Sequence, residues 1–243
     1  MDTPGATPPT QPSSIVPRVW SSGWHVSVVE ETGSTNADLL AAAANGAPDR
    51  TVLVARHQTA GRGRLDRRWE AQPGVNLLVS LLFREIPESP HVLTQRVGLA
   101  ALAACERIAG VKATLKWPND LLLNGAKLAG ILAQARLGAQ PAVVVGIGVN
   151  VGWAPEGSAR LGAAVDPLDV LAALLQAYDQ LPADVWMQYR QHLGTLGRSV
   201  RVEVPDGMVE GRALDVESDG RLVVVDECGI THRFAVGDVI HLR

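Results

Sequence analysis

The sequence predicts an α+β fold: a mixed, mostly antiparallel sheet with helices packed on one side, followed by a small C-terminal β-barrel. Two observations carry this prediction. Up to residue 197, runs of β-branched residues and helical segments follow one another without strict βαβ alternation, which is typical of α+β proteins. Beyond residue 197, short apolar runs are divided by Asp-Gly, Cys-Gly and Gly-Asp pairs, the pattern of short strands joined by tight turns.

The elements of the larger domain follow from short runs rich in Val, Leu and Ile and from helix start and stop signals. Strands are expected at 24–31, 51–58, 75–85 and 142–151, and helices at 33–46, 89–110, 166–180 and 182–193. Asn124-Gly125 lies between two apolar runs and predicts a β-hairpin. We therefore divide the chain into a disordered Pro-rich tail (1–20), a main domain (21–195) and the barrel (196–243).

The composition indicates that any binding of anions by positive charge is confined to local sites. The chain has 243 residues, of which 47% are hydrophobic and 19% charged, and its formal net charge is −3. This balance allows a sizeable core and argues against a general nucleic-acid coat, which needs an excess of positive charge. The two distant cysteines, Cys105 and Cys228, give neither a disulfide framework nor a metal-binding pair, which suits a reducing cytoplasm.

No secretory or membrane segment is expected. The N-terminus lacks the basic region and apolar stretch of a signal peptide. The longest uncharged run, residues 137–155, is interrupted by Gly, Gln, Asn and Pro and has strand-like character, so we reject a transmembrane helix. The expected localisation is cytoplasmic.

The segment TAGRGRLDRRW (59–69) concentrates four arginines within seven residues and ends on Trp69. Its glycines let the backbone approach a ligand, guanidinium groups pair well with carboxylate or phosphate, and an indole offers a flat face to a ring. The segment therefore predicts an anion site. A solvated turn with spare positive charge is the alternative.

A second polar cluster, KWPND (116–120), directly precedes the predicted hairpin. Pro118 restricts the residue before it to extended conformations, so the segment should be rigid. An ordinary strand entry, with Asn and Asp as turn formers, would explain it equally well. Lys127 follows the hairpin turn among apolar residues, where a cation is costly unless it is paired or faces solvent.

GIGVN (146–150) contains Gly-x-Gly after a strand, but Pro155 and Gly157 follow where a dinucleotide-binding fold needs a helix, so we reject that function. Two glycines within a strand instead mark the close approach of a ligand or of neighbouring backbone. GSTN (33–36), taken alone, is explained by a helix cap. The six histidines have no metal-binding spacing, and no Ser-His-Asp or Cys-His arrangement can be argued.

In this order and approximate spacing, GSTN, HQTAGRGRLDRRW, KWPND, KLAGIL and GIGVN resemble the motifs of the biotin protein ligases, also called biotin–[acetyl-CoA-carboxylase] ligases. The resemblance extends from about residue 26 to the C-terminus and implies that the barrel is SH3-like. It also implies a two-step reaction in a catalytic domain over 21–195. Biotin and MgATP form biotinyl-5′-adenylate and pyrophosphate, and a lysine of a biotin carboxyl carrier domain then accepts the biotin and releases AMP.

The resemblance further implies roles for individual residues. Lys127 and Arg64 are the expected catalytic residues, because fixed cations lower the repulsion between carboxylate and phosphate. The expected biotin-binding residues are Ser34, Thr35, Asn36, Gln58, Gly61, Arg62, Gly63, Arg64, Lys127, Gly130 and Gly148. The expected ATP-binding residues are Arg64, Arg67, Trp69, Lys116, Asn119, Asp120 and Asn150, with Mg²⁺ arriving on ATP.

The resemblance leaves several points open. It is compatible with a monomer or a sheet-edge homodimer, and with a barrel that either docks the carrier or covers the ATP site. A lipoate ligase or octanoyltransferase, a biotin-binding sensor without turnover and a nucleic-acid adaptor are the alternatives. Asp66 stands where some family members have a glycine, which bears on the dynamics of the arginine segment.

We expect a ligase that does not bind operator DNA. Many bacterial members carry an N-terminal helix-turn-helix domain and repress transcription, whereas about twenty Pro-rich residues precede the first predicted strand here. A gel-shift assay at physiological salt is therefore expected to show no sequence-specific complex with duplex DNA. A sequence-specific complex would refute this prediction.

Overall fold

The computed structural model describes residues 20–205 and 207–242, so the predicted tail (1–20) lies outside the described residues except for its last position. Four helices occur in these ranges: α1 (Thr35–Ala44), α2 (His91–Ala109), α3 (Pro167–Gln180) and α4 (Trp186–His192). The strands are β1 (His25–Thr32), β2 (Thr51–Gln58), β3 (Leu77–Phe83), β4 (Thr114–Lys116), β5 (Asp120–Leu123), β6 (Ala126–Arg136), β7 (Ala142–Val149), β8 (Ser199–Val204), β9 (Gly207–Val216), β10 (Leu222–Val225), β11 (Thr231–Phe234) and β12 (Asp238–His241). Among the described residues, no helix has the length and apolar character needed to cross a bilayer.

Strands β1 to β7 form one sheet in the order β1-β2-β3-β7-β6-β5-β4. β1 and β2 run parallel, and the other neighbouring pairs are antiparallel. The predicted mixed, mostly antiparallel sheet is therefore confirmed. β3 and β7 lie at its centre, and β3 is buried at every position.

Helices cover both faces of this sheet, so the expectation of helices on one side is wrong. Alternate residues of a strand point to opposite faces. Leu82 of β3 and Val144 of β7 pack with Leu39 of α1, whereas Leu81 and Val145 belong to the larger core with α2 and α3. The reason is that β3 and β7 are apolar on both faces, and such strands require cover on both.

Three local sequence signals, for a hairpin turn, a helix N-cap and a helix C-terminus, form the structures that they predicted. Asn124 and Gly125 join β5 to β6 with φ values of 52° and 82°, as a two-residue hairpin turn with positive φ requires. Asp166 caps α3, its carboxylate accepting the Leu168 N–H at 2.8 Å. Gly110 ends α2 in the left-handed conformation, with φ of 65°.

Strands β8 to β12 form a separate antiparallel sheet, here called the C-terminal sheet, in the order β11-β10-β9-β8-β12. Two indole groups hold it against the rest of the protein. Trp117 Nε1 donates to Gly220 O at 2.9 Å, and Trp186 Nε1 donates to Val216 O at 3.0 Å. Trp117 is 2% exposed, so this residue of the KWPND motif serves docking between the two sheets.

Candidate active site

A cavity of about 250 Å³ lies on the face of the large sheet that α1 partly covers. Farther along that face, Gly130, Gly146 and Gly148 stand on the adjacent strands β6 and β7, where side chains would otherwise project. The cavity extends along β7 from Gly146 to Asn150, the residue just past the end of the strand, a distance of about 13 Å at the usual rise of a strand. Asn36 packs over Gly146 and Trp69 packs over Gly148 and Gly130, so glycine at these positions makes room for two side chains that line the cavity.

A chain of hydrogen bonds surrounds the Gly146 end of the cavity. Ser80 Oγ donates to Asn36 Oδ1 at 2.6 Å, an orientation fixed because Asn36 Nδ2 donates to Leu132 O at 3.1 Å. Thr35 Oγ1 lies 2.7 Å from Ser80 Oγ and 3.0 Å from Gln58 Oε1, which also accepts the Thr35 N–H at 2.8 Å. The Thr35 hydroxyl donates its single hydrogen to Gln58 Oε1, which as a carbonyl oxygen can only accept. Thr35 Oγ1 thereby keeps a lone pair to accept a hydrogen bond.

Ser34 and Thr35 place hydroxyl groups on the cavity wall at the start of α1. Ser34 occupies the N-cap position but makes no side-chain capping bond, so a helix cap does not account for GSTN. With the Gln58 amide, these groups can bond a neutral ring that carries both N–H and C=O groups. Each such buried bond contributes about 0.5–1.5 kcal/mol net.

The arginine segment forms a small hairpin, here called the arginine hairpin (61–69). Gly63 N–H donates to Arg67 O at 2.6 Å, which closes the hairpin just below its tip. The tip residues Leu65 and Asp66 both have φ of 54°, the left-handed conformation of a two-residue hairpin turn. A left-handed conformation costs about 1–2 kcal/mol at a residue other than glycine, and Asp tolerates it better than Leu does. This requirement explains why a glycine would suit position 66.

Trp69 lies on the glycine floor of the cavity. A Cβ on Gly148 would be 2.4 Å from Trp69 Cε2, and one on Gly130 would be 3.1 Å from Trp69 Cζ3. Lys127 Nζ is 5.8 Å from the centre of the indole ring. Trp69 Nε1 and Asn150 Oδ1 are buried and have no hydrogen-bond partner among the described residues. Buried polar atoms are normally paired, so both are suited to bond a ligand.

Positive side chains from two separate segments converge on this cavity. Lys127 of β6 pairs with Asp120 of β5 at 2.7 Å, and Arg64 Nη1 of the arginine hairpin donates to Asn119 Oδ1 at 3.3 Å. Burial lowers the pKa of the Arg64 guanidinium, while the nearby carboxylates of Asp238 and Asp120 oppose that shift. The arrangement can neutralise a ligand that carries several negative charges.

Most of the predicted site residues line the cavity: Ser34, Thr35, Asn36, Gln58, Arg62, Gly63, Arg64, Arg67, Trp69, Asn119, Asp120, Lys127, Gly130, Gly148 and Asn150. As far as the described residues define it, Gly61 and Lys116 lie outside this lining. Gly61 forms the base of the arginine hairpin, its carbonyl accepting the Trp69 N–H at 3.0 Å. The charge of Lys116 affects His241 of the C-terminal sheet. The pKa of His241 is lowered to about 4, first by burial and then by the positive charges of Lys116 and Arg198.

Among the lining residues that the sequence did not single out, Ser80 and Asp238 bond predicted site residues through their side chains. Ser80 is fully buried in β3 and contacts the predicted residues Thr35 and Asn36. It had a signal, since it is the single polar residue of the strand LLVSLLF. Asp238 belongs to β12 and reaches the cavity from the C-terminal sheet. Its sequence neighbours contain no hint of that contact.

Metal-binding side chains do not cluster in the described part of the chain. Within residues 20–205 and 207–242, no group of three or more His, Cys, Asp and Glu residues is placed to hold an ion.

Comparisons with known proteins agree with this geometry. The biotin/lipoate A/B protein ligase family matches residues 28–151, and the biotin protein ligase C terminal domain matches residues 195–242. A biotin–[acetyl-CoA-carboxylase] ligase of Mycobacterium tuberculosis is 42% identical over 91% of each chain, and the bifunctional ligase/repressor BirA of Bacillus subtilis is 31% identical over 86% of this chain and 71% of that protein.

The fold is also similar to that of a solved ligase. The structure of biotin protein ligase from Aquifex aeolicus in complex with biotin and ATP superimposes with a TM-score of 0.75 at 26% identity, covering 90% of this chain and 99% of that one. The resemblance drawn from the five motifs is confirmed. The chain belongs to the biotin protein ligase family of enzymes.

Proposed function

We propose that the protein is an ATP-dependent biotin protein ligase that forms biotinyl-5′-adenylate and then transfers biotin to a lysine of a biotin carboxyl carrier domain, such as that of acetyl-CoA carboxylase. The convergence of Arg64 and Lys127 on one cavity, beyond a neutral hydrogen-bonding end, carries this proposal. Relatives named as biotin–[acetyl-CoA-carboxylase] ligases and a structure that holds biotin and ATP support it.

The cavity matches biotin along its length. The ureido ring has two N–H donors and one carbonyl acceptor, which complement Thr35 Oγ1, Ser34 and the Gln58 amide at the Gly146 end. The apolar chain of biotin crosses the floor formed by Gly148 and the neighbouring indole. Its carboxylate then lies where Lys127 and Arg64 converge.

Lys127 and Arg64 act on the first chemical step. A biotin carboxylate oxygen attacks the α-phosphorus of ATP, a P–O bond forms, and the bond to pyrophosphate breaks. Both reacting groups are negative, so fixed cations reduce their repulsion and stabilise the charge that develops in the transition state. In the second step the lysine amine attacks the acyl carbon of the adenylate, loses a proton, and AMP leaves.

The donor set also suits the Mg²⁺ that accompanies ATP. Asp120 lines the cavity beside Asn119, and its carboxylate is an oxygen ligand of the kind that Mg²⁺ uses together with substrate phosphates. Asp120 would hold the ion, which would spread the phosphate charge. Lys127, 2.7 Å from the same carboxylate, holds Asp120 at the cavity.

The protein acts in the cytoplasm, residues 21–195 carry out catalysis, and residues 196–243 form the C-terminal domain. The cysteines are free thiols, Cys105 buried and Cys228 exposed, as expected in a reducing environment.

A pair of assays tests the function directly. With biotin present, the protein is expected to exchange labelled pyrophosphate into MgATP, and to make a carrier domain positive on a streptavidin blot. Lipoate or octanoate in place of biotin should support neither reaction. Biotin binding without exchange would identify a sensor, and transfer of lipoate instead of biotin would identify the related acyl-transfer class.

Replacing Lys127 with alanine should slow adenylate formation roughly 10²- to 10³-fold, the usual loss when a preorganised charge is removed from a transition state. Single-turnover formation of biotinyl-5′-adenylate and transfer from preformed adenylate should be measured separately. Lys112→Ala is the control, because Lys112 is exposed and does not line the cavity among the described residues. Wild-type rates in both steps would remove Lys127 from the mechanism.

A methyl group at Gly146 should weaken biotin binding. The added Cβ would lie 2.3 Å from Asn36 Oδ1, and Asn36 cannot withdraw without losing its bonds to Ser80 and Leu132. We expect Gly146→Ala to lower biotin affinity about tenfold or more by calorimetry. Gly33→Ala is the matched control, because nothing lies within 4 Å of its added Cβ. An unchanged affinity in Gly146→Ala would contradict the assigned ring site.

A further inference from the structure

Ser80 of β3 lies on the cavity face of the large sheet and connects two residues at the start of α1. It is fully buried and pairs with Gly146 of β7 in the strand ladder. Its hydroxyl oxygen is 2.6 Å from Asn36 Oδ1 and 2.7 Å from Thr35 Oγ1. Both partners are among the residues expected to bind biotin, whereas Ser80 lies outside all five sequence motifs.

The amide of Asn36 is used within the protein. Its Nδ2 group donates to Leu132 O at 3.1 Å and to Gln134 Oε1 at 2.9 Å, which uses both amide hydrogens. Its Oδ1 atom accepts from Ser80 Oγ. Asn36 also packs over Gly146, where an added Cβ would lie 2.3 Å from Oδ1. Asn36 therefore shapes the wall of the cavity and has no hydrogen left to donate to a ligand.

The hydroxyls of Thr35 and Ser80 belong to a chain of oxygens that has too few hydrogens. The chain starts at Gln58 Oε1 and passes through the two hydroxyls to Asn36 Oδ1, with contacts of 3.0, 2.7 and 2.6 Å. Both ends are amide oxygens, which can only accept, so two hydroxyl hydrogens have to serve three contacts. No other donor among the described residues reaches either hydroxyl. With each hydroxyl donating to its amide, the contact between the two hydroxyl oxygens lacks a hydrogen.

The missing hydrogen has to come from a molecule in the cavity. Oxygens 2.7 Å apart repel each other unless a hydrogen lies between them, and buried polar groups are normally paired. A ligand N–H that bonds Gln58 Oε1 takes the place of the Thr35 hydroxyl, which can then turn and donate to Ser80. Every acceptor of the chain then has a hydrogen. A ligand that presents only acceptors leaves the chain one hydrogen short.

We propose that Ser80 is a specificity-determining residue of the ring site: because its one hydrogen is given to Asn36, the Thr35–Gln58 end of the cavity requires a hydrogen donor from the ligand. This role rests on the proposed function, since the ureido ring of biotin supplies such an N–H. Ser80 acts through Thr35 and Asn36, so it is a positioning residue rather than a catalytic one.

A cycle of two proteins and two ligands tests this role. The proteins are wild type and Ser80→Ala. The ligands are biotin and its cyclic carbonate analogue, in which oxygen atoms replace both ring N–H groups. Wild type should bind the analogue at least about 100-fold more weakly than biotin, because a site built to bond an N–H rejects a ligand that lacks it. Calorimetry measures both affinities, with competition against biotin for the weaker ligand.

Ser80→Ala removes the short contact between the two hydroxyls and leaves Thr35 paired with Gln58. Its affinity for biotin should fall about tenfold, the effect of about one hydrogen bond. Its affinity for the analogue should change less than about threefold, since that ligand never supplied the missing hydrogen. Equal losses for both ligands would show that Ser80 only supports the cavity wall, and would overturn the proposal.

Thr195→Val is the matched control, because it also removes a fully buried hydroxyl. Thr195 Oγ1 accepts the Trp117 N–H at 3.0 Å, and among the described residues Thr195 is not part of the cavity lining. This variant should bind both ligands as wild type does. A drop in the biotin-to-analogue ratio as large as that of Ser80→Ala would contradict the specific role of Ser80.

The wild-type measurements separate this role from the proposed function. If wild type does not bind biotin, the proposed function fails. If wild type binds biotin and the analogue equally well, the proposed function stands and the role of Ser80 is wrong. Melting followed by circular dichroism checks that each variant is folded. If Ser80→Ala does not fold, the wild-type ratio alone decides, and a ratio below about tenfold would overturn the proposal.

Discussion

Several cationic side chains line one partly buried cavity, and they repel one another. The surrounding structure has to offset this repulsion. Two carboxylates provide the balance: Asp120 pairs with Lys127 at 2.7 Å, and Asp238 pairs with Arg67. Lys127 and Asp120 are partly buried and need each other because they have lost part of their hydration, whereas Arg67 is exposed. Asp120 comes from the large sheet and Asp238 from the C-terminal sheet, so charge balance in the cavity depends on both units being correctly docked.

A single strand supplies both the core and the cavity. In β7, Val143, Val145 and Ile147 face the larger core, while Val144 lies under α1 and the next two positions on that face are glycines. Because successive side chains of a β-strand point to opposite faces, one face of β7 can serve the core and the other the cavity without an insertion or a bend. Burial of one set of side chains therefore fixes the floor on which the polar and indole groups of the site lie.

Local chemistry explains which features could be predicted from the sequence. Asn124-Gly125 and the Asp166 cap are encoded by the residues that adopt them, and both were predicted. Leu65-Asp66 adopts the same kind of turn without glycine or asparagine, so the residues at its tip did not predict it. Asp238 reaches the cavity only through packing of the two sheets, which no sequence neighbour of that residue specifies.

The KWPND segment shows how docking and chemistry become linked. Its indole, on Trp117, bonds the C-terminal sheet at Gly220, while Asn119 lines the cavity and accepts from Arg64. Asn119 is held in turn by β6, since its Nδ2 donates to the Ile131 carbonyl at 2.7 Å. Arg64 therefore bonds Asn119 of the large sheet and Gly237 O of the C-terminal sheet. Both bonds form together only when the two sheets lie at the right separation. Because Arg64 bonds both sheets at once, the position of its positive charge in the cavity depends on how the two sheets pack against each other.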